Sequence, residues 1–372
     1  MKKILITGGA GFIGTHLARV LTSKGYTITI LDNLSEQIHG NSPQYKLLEG
    51  VSFIKGDVCN TGDVEKAING QEVIVHLAAE TGTGQSMYEV NKYVDVNIGG
   101  TARILDHLVN KDHQVKKFIV ASSRAIYGEG KYYCQNHQAV YPSERKAKNL
   151  ERGNFEPKCP VCNNDLQMLP TDEQSKIHPS SVYGITKQNQ EQMVLNVCRS
   201  INIPAIAFRY QNVYGPGQSL KNPYTGILSI FSTQIRNGND INIFEDGNES
   251  RDFVFIEDVV NATIKGIEAD GIQWEAFNVG SGQPTTVLQV AETLRSLYNS
   301  DINIHITGNF RLGDIRHNVA DLTKVKQLLK FVPTYDFKSG AEKFVRWVLT
   351  QEVNEDRYER SISEMKEKGL FK

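Results

Sequence analysis

Apolar positions fall in two rhythms along this chain. Unbroken runs stand at Lys3–Thr7, Thr27–Leu31, Val51–Ile54, Val73–Leu77, Lys117–Ala121 and Ile203–Phe208. Between them lie stretches in which apolar side chains recur every three or four residues. Phe12–Lys24 is one, with Ile13, Leu17, Val20 and Leu21 on a single stripe, and Asn97–Val109 is another. A strand with one wet face would alternate in polarity; an unbroken run predicts a strand buried on both faces. Such strands separated by helices predict an α/β protein built on a doubly wound parallel sheet.

From Glu129 to Pro179 the rhythm stops, and this polar, proline-bearing stretch is expected to be an insertion. Beyond Tyr210 loops alternate with short elements: a helix over Gly226–Arg236, a strand over Ile241–Phe244 and a helix over Val287–Leu297. The expected division is a dinucleotide-binding domain over 1–209, with its insertion at about 129–179, and a stretch over 210–347 that is mainly a smaller mixed α/β nucleotide-sugar-binding domain. A charged tail follows over 348–372, whose end from Glu352 is expected as a solvated helix.

With 372 residues, 40% of them apolar, the chain can bury a sizeable core. A net charge of −1 gives no global attraction to nucleic acid or an anionic membrane, so an anionic ligand must be held by local donors. There is no run of eighteen apolar residues, and no membrane span is expected. Met1–Gly8 reads as a strand entering a glycine loop, not as an export signal. Five cysteines are too few for a disulfide framework, and a reducing cytoplasm is expected.

Candidate chemistry begins at Thr7-Gly8-Gly9-Ala10-Gly11-Phe12-Ile13-Gly14. Gly8, Gly11 and Gly14 sit between a strand and a helix, where a tight turn lets helix N–H groups meet a pyrophosphate. Asp32 ends the second strand, at the place of a ribose-binding carboxylate. Its charge would repel a 2′-phosphate, and Asn33-Leu34 offers no arginine to hold one, so NAD is favoured over NADP. Alone, Asp32-Asn33 is good turn chemistry; the glycine loop upstream gives it its meaning. Asp57 and Val58 follow the third strand and would lie by the adenine.

Tyr183-Gly184-Ile185-Thr186-Lys187 puts a tyrosine and a lysine four apart, hence on one helix face. A free tyrosine has a pKa of about 10 and is a poor base at neutral pH. A neighbouring ammonium would favour the phenolate, and it could also reach the nicotinamide ribose. Ser123, in Ser122-Ser123-Arg124-Ala125-Ile126-Tyr127-Gly128, ends a strand where its hydroxyl could bind the reacting oxygen. Bare Tyr-x-x-x-Lys is common on helix surfaces; the glycine loop, the acidic strand end and the Ser-Ser pair in this order point to catalysis.

Further motifs are His76-Leu77-Ala78-Ala79, Asn97-Ile98-Gly99-Gly100-Thr101, Arg209-Tyr210-Gln211-Asn212-Val213-Tyr214-Gly215-Pro216 and Arg251-Asp252-Phe253. Together these motifs resemble extended short-chain dehydrogenases/reductases, and within them the nucleotide-sugar epimerases, from Met1 to about Trp347. The resemblance implies a modified Rossmann domain and a homodimer. It places Phe12, Ile13, Leu77, Ala78, Ala79 and Asn97 at the cofactor. It gives Asn212, Arg251 and Arg316 to a nucleotide diphosphate, for which paired arginines are physically apt. Glu80, Thr83, Arg124 and Asn222 are expected at the rest of the sugar nucleotide.

The related 4,6-dehydratases carry Asp-Glu where this chain has Arg124-Ala125, and the related 3,5-epimerases carry a cysteine at the place of Ala125. What remains needs only Tyr183, Lys187, Ser123 and NAD: oxidation of one hydroxyl, then reduction of the ketone from the other face. Asp32-Asn33-Leu34 with Ile38-His39-Gly40, Gly84–Glu89, Tyr127–Gly130, Asn222–Gly226 and Ile243–Gly247 resemble the dTDP-L-rhamnose 4-epimerase branch, whose product would be dTDP-6-deoxy-L-talose. A UDP-hexose 4-epimerase and a 4,6-dehydratase are the enzyme alternatives. A non-catalytic NAD-binding regulator is the third.

Cys134-Gln135-Asn136-His137 and Cys159-Pro160-Val161-Cys162 share the two-residue gap of tetrahedral zinc sites, so Cys134, His137, Cys159 and Cys162 are candidate ligands of a structural zinc. The alternative is four ordinary loop residues. Cys59 and Cys198 are expected to fill core space.

Overall fold

The computed structural model describes residues 2–40, 48–222, 226–353, 356 and 358–371. Its centre is a sheet of seven strands: β1 (Lys3–Thr7), β2 (Thr27–Asp32), β3 (Val51–Lys55), β4 (Val73–His76), β5 (Lys117–Ser123), β6 (Ala205–Tyr210) and β7 (Glu275–Val279). Their order is β7-β6-β5-β4-β1-β2-β3, and every pair is parallel. Strands β4, β5 and β6 are buried along their whole length, as their unbroken apolar runs require. The order reverses between β1 and β4, which opens a crevice beyond their carboxyl ends.

The seventh strand comes from beyond residue 209, in the stretch expected to be mainly substrate-binding. Glu275–Val279 returns from the second half to pair with β6, and helix Ile256–Glu268 packs on helix α1 (Phe12–Ser23). Sequence order gives no sign of this, because strand pairing is decided by which edge stands open in space.

Three expectations change. The helix expected over Asn97–Val109 starts as a wide π turn, Val94–Gly100, before the α-helix Thr101–Asn110. The insertion is not patternless: Tyr132–Cys134 pairs antiparallel with Gln138–Val140 and with Gln167–Met168. The terminal helix Tyr358–Glu367 is not fully solvated. Ile362, Met365 and Phe371 are buried against Phe244 and Leu370.

The second half carries a four-stranded sheet of Asn212–Tyr214, Ser250–Phe255, Pro284–Thr286 and His317–Asn318, with a separate pair of Ile241–Ile243 and Ile304–Ile306. No described helix is long and apolar enough to cross a membrane.

Candidate active site

A cavity of about 1000 Å³ runs from the glycine loop, across the carboxyl ends of the strands, into the second half. Gly8 has φ +68°, and a Cβ there would lie 2.7 Å from the Ala78 nitrogen. A Cβ on Gly14 would lie 2.5 Å from the Gly9 Cα. Glycine alone lets this loop close. Helix α1 then starts on Gly11 with no side-chain cap and no acidic residue in its first turn. Its leading N–H groups are left for an anion, and Phe12 and Ile13 line the cavity beside them.

Asp32 is held rigidly at the end of β2. Its Oδ2 accepts from the Ala10 N–H at 3.0 Å and its Oδ1 from the Leu34 N–H at 2.8 Å. Asn33 Nδ2 donates to Asp57 Oδ2 at 2.9 Å. Burial works against the Asp57 carboxylate, but hydrogen bonds from Asn33 and Cys59 outweigh it and lower its pKa. Val58, Leu77, Ala78 and Ala79 complete this wall. The cradle and the uncapped helix fit a dinucleotide pyrophosphate, and the acidic strand end fits an unphosphorylated ribose.

Asn97 does not line the cavity. It is fully buried; its Oδ1 accepts from the Glu80 N–H at 2.8 Å, and its Nδ2 donates to Glu80 O at 3.1 Å and Thr186 Oγ1 at 2.9 Å. It ties the loop after β4 to helix α2 (Val182–Ser200) instead of facing a ligand.

Helix α2 carries Tyr183 and Lys187. Ser181 caps it, its Oγ accepting from the Gly184 N–H at 3.1 Å, and Ser86 Oγ accepts from the Tyr183 N–H at 3.0 Å. A Cβ at Gly184 would lie 2.6 Å from Ala125 O, so glycine lets α2 press against the 3-10 turn Arg124–Tyr127. This brings Tyr183 into hydrogen-bonding reach of Ser123. Burial raises the Tyr183 pKa, opposed by the Ser123 hydroxyl and the charge of Arg124.

Lys187 behaves differently from the sequence expectation. Its Nζ donates to Gln190 Oε1 at 2.7 Å, and burial pushes its pKa down to about 7 against the pull of Glu191. Gln190 Nε2 reaches Thr101 Oγ1 at 2.8 Å and His76 Nε2 at 3.2 Å, and His76 Nδ1 meets Thr7 Oγ1 at 2.7 Å. Burial drives His76 down to about 3, so it stays neutral. A buried polar chain therefore runs from the lysine to the strand that opens the glycine loop. Behind it, Glu191 is paired with Arg209 at 2.6 Å and accepts from Ser122 Oγ at 2.6 Å.

At the other end, Arg124 Nε donates to Asn212 Oδ1 at 3.1 Å. Arg251 is aimed by the carbonyls of Ser250, Ile315 and Arg316 and by Asp314 Oδ1 at 3.1 Å. Glu80, Thr83 and Asn222 also line the cavity; Pro223, Tyr224 and Thr225, from the same motif, lie outside the described residues. Arg316 is a correction. It is buried away from the cavity, with its guanidinium held by Asp246 at 2.7 Å, Glu156 at 2.6 Å and Glu245 at 3.0 Å. Arg311 lines the cavity, as does Asp314. Burial opposes ionisation of Asp314, but Arg311, Arg251, Arg145 and Arg124 hold it far below the usual carboxylate range.

Sequence reasoning also passed over Gln211, a buried amide on the cavity wall with no hydrogen-bond partner for either side-chain atom, and Met365 from the terminal helix. Gln211 stands inside a quoted motif and was open to notice. Met365 carries no local signal. The insertion gathers Cys134, His137, Cys159 and Cys162, whose ligand atoms lie within 4.8 Å of one another, and none of them lines the cavity.

The glycine loop on an uncapped helix, the carboxylate ending β2 and the switch point between β1 and β4 define a Rossmann-type dinucleotide-binding protein, and Ser123, Tyr183 and Lys187 fit oxidoreduction at a hydroxyl. The model of the NAD dependent epimerase/dehydratase family matches residues 4–149 and 161–280, and the chain belongs to that family. It is 36% identical over 354 residues to a dTDP-L-rhamnose 4-epimerase of Burkholderia thailandensis, covering 94% of this chain and 96% of that one. It is 28% identical to a UDP-N-acetyl-alpha-D-glucosaminuronate decarboxylase of Bacillus cytotoxicus, covering 93% and 97% of the two chains. Among solved structures, a UDP-glucuronic acid 4-epimerase from Bacillus cereus, in complex with UDP-glucuronic acid and NAD, matches with a TM-score of 0.75 and 25% identity over 93% of this chain and 99% of that one. The protein is an NAD-dependent enzyme of the nucleotide-sugar epimerase class.

Proposed function

We propose that the protein is a nucleotide-sugar 4-epimerase that interconverts dTDP-L-rhamnose and dTDP-6-deoxy-L-talose. The observation that carries the reaction class is the sharing of one cavity by the two sets of residues. Ser123, Arg124 and Tyr183 line the same cavity as the glycine loop and as Asn212, Arg251 and Arg311. The 36% identity to a dTDP-L-rhamnose 4-epimerase supports the substrate.

NAD, held by Gly8, Gly11, Gly14, Asp32 and the α1 N-terminus, would supply a hydride acceptor that later returns the hydride. Tyr183 takes the proton of the sugar 4-hydroxyl as hydride leaves the carbon. Ser123 donates to the same oxygen and fixes it. When charged, Lys187 favours the Tyr183 phenolate. The 4-keto sugar then presents its other face, and Tyr183 returns the proton as hydride comes back. Hydride and proton both return, so no net redox occurs. Arg124, Arg251 and Arg311 hold the diphosphate while the hexose turns. A 4,6-dehydratase would need an acid pair where Arg124-Ala125 stands. The enzyme is expected to work in the cytoplasm as a homodimer. A zinc ion on the insertion would take no part in the chemistry.

The test is to incubate purified protein with dTDP-L-rhamnose and a panel of other nucleotide sugars, without added NAD, and follow the sugars by NMR. Formation of the 4-epimer of dTDP-L-rhamnose supports the whole reading. Epimerisation of a UDP-hexose alone keeps the mechanism and removes the substrate. An accumulating 4-keto sugar turns the reading to a dehydratase, and bound NAD without any conversion turns it to a regulator.

A further inference from the structure

We propose that Cys134, His137, Cys159 and Cys162 bind one zinc ion that fixes the insertion against the sugar-nucleotide half. The metal site rests on the geometry of the insertion alone; the test of its bracing role by dTDP binding also rests on the proposed substrate.

The ligands come from two tips. Cys134 and His137 flank the turn between the strands Tyr132–Cys134 and Gln138–Val140, and Gln138 takes the left-handed φ of +56° that turns the chain back. Cys159 and Cys162 sit in a second turn, closed by the Cys159 N–H donating to Asn164 O at 2.9 Å, with Asn163 at φ +59°. Backbone N–H groups of Val161 and Cys162 also donate to the Cys159 sulfur, and those of Asn136 and His137 to the Cys134 sulfur. Peptide donors turned onto cysteine sulfurs are what a thiolate requires.

All four donor atoms lie within 4.8 Å of one another, and three of their separations match the edges of a tetrahedron. His137 Nδ1 lies 3.6 Å from both Cys134 Sγ and Cys159 Sγ, and Cys134 Sγ lies 3.6 Å from Cys162 Sγ. Zinc–sulfur bonds of about 2.3 Å set tetrahedral edges of roughly 3.7 Å. A disulfide would need about 2 Å between sulfurs. Three sulfurs and one imidazole make a closed set suited to a structural zinc, with no position for water.

The insertion has a use for such a centre. Around the sulfurs it buries only Tyr132 and Val140, with Leu166 and Met168 partly covered. That is a small apolar cluster around the two tips, and a bound metal would add to what holds them together. Yet the loop between the two tips carries side chains that brace the cavity wall. Arg145 pairs with Glu245 at 2.8 Å and donates to Asp314 O at 2.9 Å, Glu156 pairs with Arg316 at 2.6 Å, and Leu150 and Phe155 pack on Phe310. Asp314 in turn aims Arg251. Zinc pins both ends of this brace.

The experiment is metal analysis of the full chain, purified under reducing conditions from zinc-supplied cells without an affinity metal. One zinc per chain is expected. Zinc below a tenth of the chain concentration, or iron in its place, overturns the proposal. The Cys159→Ser/Cys162→Ser variant should lose the metal and Cys59→Ser should keep it; retention by the first overturns the ligand set. If the double variant does not fold, cobalt exchanged into the native protein should give the absorption of a tetrahedral thiolate site, and an octahedral spectrum overturns it. The bracing role predicts that removing zinc weakens dTDP binding by about tenfold and leaves NAD content unchanged. Equal dTDP affinity with and without zinc overturns the bracing.

Discussion

Tyr183 and Lys187 stand one helical turn apart, yet the lysine donates to Gln190, and burial, not its charge, sets the tyrosine. A buried phenol and an amine whose pKa burial lowers make the proton positions sensitive to their surroundings. Replacing Tyr183 with Phe removes the hydroxyl to which the proposed mechanism gives the proton transfer. Turnover should fall by about 10² to 10⁴ while co-purified NAD, read by absorbance after denaturation, stays at the native amount. The pKa of Lys187 is lowered from 10.5 to about 7, so the unfolded chain binds this proton more tightly. The resulting destabilisation is full below about pH 7 and fades as pH rises toward 10.5. Lys187→Met should therefore gain stability relative to the native protein most at pH 6 and progressively less up to pH 9, by urea unfolding of the ligand-free forms. A gap that does not narrow with pH would remove the buried ammonium from the account. That Tyr183, Lys187, Ser123, Asp32 and the glycines line one cavity could be anticipated because their motifs are local and follow in order. Gln190 and His76 were not read as partners of the lysine, because their contact is made across the core.

At the scale of elements, Gly184 joins helix to turn. Alanine favours a helix interior over glycine by about 1 kcal/mol, but here a Cβ would meet the backbone oxygen of Ala125. Gly184→Ala should push α2 outward and misplace Tyr183, lowering kcat by about 10² with NAD still bound. Unchanged kcat would mean that the close approach has no part in catalysis. The terminal helix offers a second case. Met365 and Phe371 are buried, each contributing about 1.5–3 kcal/mol, and the Leu312 N–H donates to Leu370 O at 3.1 Å beside the cavity residue Arg311. A chain ending at Val353 should bind dTDP less tightly, seen by calorimetry, and keep its NAD. The charge of this tail was plain in the sequence; its apolar face was hidden because Ile362, Met365 and Phe371 are too few and too spread to mark a stripe.

Across the whole molecule, two halves share one sheet and one cavity, and a net charge of −1 leaves anion binding to placed arginines. Each ligand that binds only the folded chain adds stability, about 2.7 kcal/mol at a hundred times its dissociation constant. NAD and dTDP should each raise the melting temperature. The rise from dTDP should be nearly lost in Arg251→Met, and the rise from NAD should persist there. The buried Glu191–Arg209 pair ties α2 to β6. Removing Arg209 alone should cost about 3–5 kcal/mol through the stranded carboxylate, measured by denaturant unfolding.

The sequence by itself determined the parallel sheet, the glycine loop, the order of Ser123, Tyr183 and Lys187 along the chain and the Cys/His spacing. Each is written in neighbouring residues, where period, turn chemistry and ligand gaps act over a few positions. Tertiary structure decided that Glu275–Val279 closes the sheet, that Arg311 and not Arg316 faces the cavity, that Asn97 holds a loop, and that the two cysteine tips meet. Those outcomes depend on which distant surfaces pack together and which buried charges find partners. Arg316 reads as a ligand-binding arginine until Glu156, Glu245 and Asp246 converge on it from separate segments of the chain.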